Sequence, residues 1–146
     1  MFYIKPIGVI HSPYKDRNSA PFQGRHSKDV CEIEVFEEYE EGLRDIEKCS
    51  HLIVLYWLHL SERDKLIAVP PHDGKERGVF ATRSPNRPNP IGFSVVELIQ
   101  RKGRVLKVVG LDAIDGTPLV DLKPYSSEID AVGDAKIGWF GGGEER

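Results

Sequence analysis

Cysteine, methionine and long apolar runs are what this 146-residue sequence has least of. Its two cysteines, Cys31 and Cys49, form no C-x-x-C pair, so a disulfide-stapled mini-fold or a zinc ribbon is excluded and reduced core thiols are expected. No stretch approaches the ~20 apolar residues that span a bilayer. The opening "MFYIKPIGVIHSPY" has no basic segment followed by an apolar block, so no signal peptide is expected and the expected compartment is the cytoplasm. The histidines at 11, 26, 51, 59 and 72 never form H-x-x-x-H, and no metal site is expected. A G-x-G-x-x-G turn, a Walker lysine loop and a G-x-S-x-G elbow are all missing, which removes the common nucleotide-binding and hydrolase signatures. Internal repeats are missing too.

The charges present are unevenly placed. The formal net charge of −3 argues against a general basic coat for nucleic acid. Asp29 to Glu47 nevertheless holds nine acids against Arg44 alone, whereas Gly74 to Ser94 holds Lys75, Arg77, Arg83 and Arg87 against Glu76 alone. A second basic group, Lys15, Arg17, Arg25 and Lys28, falls in an early loop. Such asymmetry can set a positive cleft on an acidic protein and suits a phosphate-bearing partner; scattered solvated charge is the competing reading.

Strand patterns dominate. Tyr3–His11 alternates apolar residues, and Val30–Phe36 sets Cys31, Ile33 and Val35 against Glu32 and Glu34. His51–Leu60 is almost wholly apolar and predicts a strand buried on both faces. "RGVFAT", "IGFSVVELIQ" and "RVLKVVGLD" follow, the last two joined by a short loop at Arg101-Lys102-Gly103, and Pro118–Pro124 ends the series. Helical spacing is limited to Tyr39, Leu43 and Ile46 in "EEYEEGLRDIEK". The fold class is therefore all-β: a barrel or strongly curved sheet with one short helix and long functional loops. Residues 1–130 are expected to form the barrel domain and 131–146 a C-terminal extension with a partly disordered tail.

Three loops carry more than a connection requires. Ser12–Asp29 is 18 residues of polar, turn-forming sequence, a length that is functional or disordered in compact domains. Ser84–Pro90, "SPNRPNP", fixes φ at three prolines and drives the residues before them to extended conformations. It reads as a stiff wall presenting Arg83, Asn86, Arg87 and Asn89, with a plain connector as the alternative. In Gly110–Tyr125, Asp112 and Asp115 leave a strand and meet Gly116-Thr117-Pro118; this is either a ligand-facing turn or a hairpin corner.

"IGVIHSPY", "APFQGR", "HLIVLYWLHLSE", "GVFATRSPNRPNPIGFSVVEL" and "GLDAIDGTPLVDLKPY" together resemble the TsaA-like (TrmO) family of S-adenosylmethionine-dependent tRNA methyltransferases, in the same order from about Ile4 to Tyr125. The resemblance implies a single-sheeted β-barrel, typically a homodimer. It also implies methylation of N6 of N6-threonylcarbamoyladenosine at position 37 in the tRNA anticodon loop. Two departures concern the tRNA side: Phe22 stands where "PRQ" is common, and no further domain is expected after the barrel.

Carried over by motif, the residues toward S-adenosyl-L-methionine are Pro21, Gln23, His59, Leu60, Arg83, Phe93, Leu111, Asp112 and Asp115. Asn86, Arg87 and Asn89 would face the carboxylate and phosphates of the modified anticodon loop. A sulfonium is already a good leaving group, so alignment matters more than acid catalysis. The acceptor nitrogen must shed a proton, for which His59 and Asp115 are the candidate acceptors. No membrane partner or metal is expected. A non-catalytic RNA-binding barrel and an S-adenosylmethionine-binding sensor domain are the competing functions.

Overall fold

The structure is a computed structural model and describes residues 1–16, 18–20 and 27–140. Among the described residues eight strands follow in chain order: β1 (Gly8–His11), β2 (Val30–Val35), β3 (His51–Trp57), β4 (Ile67–Ala68), β5 (Arg77–Gly78), β6 (Ile91–Lys102), β7 (Val105–Val109) and β8 (Thr117–Pro124). One helical turn, α1 (Ser127–Asp130), comes after them, capped by Ser126 Oγ accepting from the Ile129 amide. The chain divides into two compact units, Met1–Leu60 with Ile91–Tyr125, and Ser61–Pro90 with Ser126–Arg146.

The first unit is a closed antiparallel barrel with strand order β1-β2-β7-β6-β3-β8. Closure leaves no free sheet edge and gives each strand one interior and one exterior face. Ile10, Ile33, Leu52, Val54, Leu106, Val108 and Leu119 fill the interior, each at most 1% exposed. Burying such a side chain fully contributes about 1.5–3 kcal/mol, so this interior carries most of the stabilisation of the barrel. Register shifts at Leu55/Tyr56 (β3 on β8) and Leu98/Gln100 (β6 on β7) supply the extra bend that closure requires.

Several expectations change. β3 is buried alternately rather than on both faces: Leu52, Val54 and Tyr56 point inward, while Ile53, Leu55 and Trp57 are half-buried. A single closed sheet has only one interior, and an apolar run does not say which residues face it. The segment expected to be helical forms two 3-10 turns, Glu37–Leu43 and Ile46–Lys48, separated by Asp45 at φ 72°. Gly42 and the like charges of Glu37, Glu38, Glu40 and Glu41 disfavour a regular α-helix there. β1 starts only at Gly8, and "RGVFAT" yields the short strand β5 followed by a 3-10 turn, Val79–Ala81.

In the second unit β4 pairs antiparallel with β5, and the fully buried Val79 donates its amide to Leu66 O at 2.9 Å. The later part of the chain packs on this unit as well. Trp139 Nε1 donates to Ala81 O at 3.1 Å, the Arg77 guanidinium lies 5.0 Å from the Trp139 ring centre, and the Phe140 ring meets His72 at 5.0 Å. Among the described residues no helix is long and apolar enough to cross a membrane.

Candidate functional site

At one end of the barrel two loops are stitched together from residues about a hundred positions apart. The Ser12 amide donates to Asp115 Oδ1 at 2.9 Å and Ser12 Oγ to Ala113 O at 2.7 Å. In return the Asp115 amide donates to Tyr14 O at 2.7 Å, and the Gly116 amide to Ile10 O at 2.8 Å. Gly116 sits at φ +87°, the left-handed region that the tight turn into β8 demands. Lys15 Nζ reaches Asp115 Oδ2 at 3.1 Å. The bond from Ser12 and then Lys15 hold the Asp115 carboxyl below the usual aspartate range. Tyr14, buried, donates its hydroxyl to Asp29 at 2.8 Å and accepts from Ser27 Oγ, fixing the far end of the same long loop.

Below these loops lies a polar group inside the barrel. Tyr56 OH donates to Asp112 Oδ1 at 2.6 Å and lies 2.8 Å from Ser94 Oγ, which must supply its own proton because the phenol's goes to the carboxylate. Tyr56 faces Gly92 across the β3–β6 ladder, where a Cβ would stand 2.2 Å from the tyrosine ring. Glycine is required there by space. Burial pushes the Cys31 thiol up to about 11, with Asp29, Asp112 and Asp115 adding to the effect. An open cleft of about 630 Å³ is lined here by residues that include His11, Lys15, Asp29, Lys107 and Asp115.

In the second unit the proline block is held by its own side chains. Arg87 Nη1 donates to Thr82 O at 2.9 Å and Ser84 O at 3.0 Å, so this guanidinium ties the loop to itself. Asn86 Oδ1 accepts from the Glu62 amide at 3.0 Å. Arg63 donates to Pro88 O at 2.8 Å and to Asn89 Oδ1 at 3.2 Å. Arg83 is exposed, just past the turn Val79–Ala81.

The expected site residues that the structure describes are divided between the barrel unit and the second unit. Asp112 and Asp115 share the loop between β7 and β8, and Phe93 lies half-exposed on β6. His59 and Leu60 are exposed in the turn after β3. Leu111 is fully buried, so only its backbone can meet a ligand. Arg83, Asn86, Arg87 and Asn89 belong to the second unit. Pro21 and Gln23 lie outside the described residues. Among the described residues no group of three His, Cys, Asp or Glu could hold a metal ion. The sequence reading missed Ser12, Tyr14, Tyr56, Arg63 and Ser94. Only Tyr56 carried a signal, a phenol in a buried strand that must find a partner.

Residues 9–131 match the family described as tRNA-methyltransferase O N-terminal domain. The chain is similar to a "Probable S-adenosyl-L-methionine-binding protein" of Archaeoglobus fulgidus, 69% identical over 137 residues, which are 94% of this chain and 37% of that protein. It is similar also to an "S-adenosyl-L-methionine-binding protein" of the same organism, 57% identical over 129 residues, 88% of this chain and 93% of that one. The tRNA (adenine(37)-N6)-methyltransferase of Escherichia coli is 38% identical over 149 residues, covering 94% of this chain and 62% of the bacterial enzyme. The crystal structure of TrmO from P. aeruginosa superposes with a TM-score of 0.82 at 34% identity, over 95% of this chain and 62% of that one. On the match over 9–131, the closed barrel and these likenesses, the chain belongs to the tRNA-methyltransferase O N-terminal domain family.

Proposed function

We propose that this protein is an S-adenosyl-L-methionine-dependent methyltransferase acting on N6 of N6-threonylcarbamoyladenosine at position 37 of tRNA. The observation that carries this is the family match over residues 9–131, joined to the likeness to the E. coli enzyme named for adenine 37. The side chains suit the donor chemically. Phe93, 50% exposed, and Leu60, 55% exposed, offer apolar surface for an adenine ring. Asp112 offers a carboxylate to ribose hydroxyls or to the positive end of the donor, and Arg83 an exposed guanidinium to a carboxylate. The donor, when bound, supplies an activated methyl group.

The rest is the work of the chain. In the barrel, the loops stitched through Ser12, Asp115 and Tyr14 hold Asp112 still. Alignment of this kind lowers the barrier of an in-line transfer without acid catalysis. Asp115 is a poor proton acceptor, because a carboxyl already held below its usual range by Ser12 and Lys15 gains little by taking a proton. His59, exposed in the turn after β3, is the better acceptor for the proton of the substrate nitrogen. Asn86 and Asn89 keep their amide NH2 groups for the anticodon loop while their carbonyls frame the block. The protein works in the cytoplasm as a homodimer.

A second reading, a donor-binding module without transferase activity, is favoured by the names of the archaeal relatives. Calorimetry with S-adenosylmethionine and S-adenosylhomocysteine, followed by addition of tRNA, tests both. The proposal expects donor binding and turnover. Donor binding with no methyl transferred to any tRNA would support the module, and tRNA binding without donor affinity would overturn both readings.

A further inference from the structure

Among the described residues most of the barrel interior is apolar, and Tyr56 of β3 and Ser94 of β6 are exceptions that lie beside the loop between β7 and β8. Tyr56 is 2% exposed and Ser94 8%, yet both carry hydroxyls in place of methyl or phenyl groups. A phenylalanine facing an alanine would fill nearly the same space with no polar atoms to satisfy, and replacing both partners of a buried bond by apolar groups is close to neutral for stability. The phenol is retained where it reaches one atom outside the strands, Asp112 Oδ1 at 2.6 Å. Burial raises the Tyr56 phenol far above its ordinary range, with Asp112 adding to it, so the proton stays on the donor at any working pH. Asp112 follows Leu111, which is anchored in the core, and is itself half-buried. Among the described residues Oδ2 accepts no hydrogen bond shown by the structure.

We infer that Tyr56 is a positioning residue of the donor site: from inside the barrel it clamps one oxygen of Asp112 and so sets the direction in which the other meets the positively charged end of the ligand. Ser94 orients the clamp by donating to the phenol oxygen. This rests on the donor-binding reading above. The charged end is chosen over the ribose because the oxygen of Asp112 not taken by Tyr56 belongs to a carboxylate, which makes its strongest contact with a cation.

The test is calorimetry on the full chain with S-adenosylmethionine and with 5′-methylthioadenosine, which lacks both the amino acid and the sulfonium charge. Tyr56→Phe weakens S-adenosylmethionine about tenfold, the size expected for one charge-assisted contact, and 5′-methylthioadenosine less than about twofold. Asp112→Asn acts in the same direction, and the double variant binds no more weakly than Asp112→Asn alone, because Tyr56 works only through Asp112. Ser94→Ala, which leaves the phenol in place, weakens S-adenosylmethionine by a smaller factor and serves if Tyr56→Phe does not fold. Equal weakening of both ligands, additive effects in the double variant, or variants that match the parent overturn the inference alone. A parent protein that binds neither ligand overturns the donor-binding reading and this inference with it.

Discussion

Cys31 and Cys49 show how far the surroundings of one residue set its chemistry. Cys31 lies on β2 in the barrel interior, 1% exposed, with its thiol pushed up to about 11 first by burial and then by Asp29, Asp112 and Asp115. Cys49 is only partly buried, in the chain that enters β3. A maleimide reagent near neutral pH should therefore modify one cysteine quickly, at position 49, and reach Cys31 only after denaturation. Peptide mapping that finds both modified at equal rates in the native protein would contradict the placement of Cys31. The same shift has a consequence for stability. The unfolded thiol ionises near its ordinary value of ~8.5, while the folded thiol stays neutral up to about 11. Its contribution is complete below the lower value and is lost as the pH rises through the window between the two. Asp115 acts in the opposite sense. Its depressed carboxyl stabilises the stitched loops above the usual aspartate range, and that contribution fades as the pH falls below it.

At the scale of single elements, β6 offers the sharpest test, because Gly92 is demanded by Tyr56 on the neighbouring strand. Gly92→Ala would put a methyl group 2.2 Å from the ring, and overpacking of this sort costs roughly 1–3 kcal/mol. Urea unfolding measures it, and an unchanged midpoint would mean that the ring lies elsewhere. The proline block makes a different kind of prediction. Pro88→Ala with Pro90→Ala releases up to ~1 kcal/mol of conformational freedom at each position. Donor affinity should stay close to that of the parent while single-turnover transfer slows, since lost alignment falls on the transition state. If both quantities are unchanged, the block is a connector and nothing more. The alternation of Cys31, Ile33 and Val35 made β2 legible in advance, and so did the β6–β7 hairpin, although its turn is Gly103-Arg104 and the expected loop residues Arg101 and Lys102 end β6. β3 was harder to read, since ten nearly continuous apolar residues carry no information about which face meets the core. The clasp from Arg63 to Pro88 and Asn89 was illegible, because "SERDK" looks like any solvated turn until the chain folds back on it.

For the whole molecule, the legible part was the closed sheet and the illegible part was its cross-chain wiring. Strand periods are local, so they survive in the sequence. The bonds from Ser12 to Asp115 and from Tyr56 to Asp112 join residues 103 and 56 positions apart, and no local pattern encodes them. The motif blocks around Arg83 and Asp112 mark two loops but not which atoms hold them in place. At this scale the proposed homodimer predicts a two-fold interface burying on the order of 1,600 Å² in total. Light scattering at micromolar protein should give twice the chain mass, and a fully active monomer would sink the dimer. The central claim is methyl transfer to a modified adenosine, and it is tested most directly by incubating the protein with tRNA and methyl-labelled S-adenosylmethionine and analysing the released nucleosides by mass spectrometry. The account predicts one labelled product, N6-threonylcarbamoyladenosine carrying an additional methyl group on N6, formed only from tRNA that bears the threonylcarbamoyl modification. Label on an unmodified adenosine or on another base, or no label in tRNA whose modified nucleoside is intact, would contradict it.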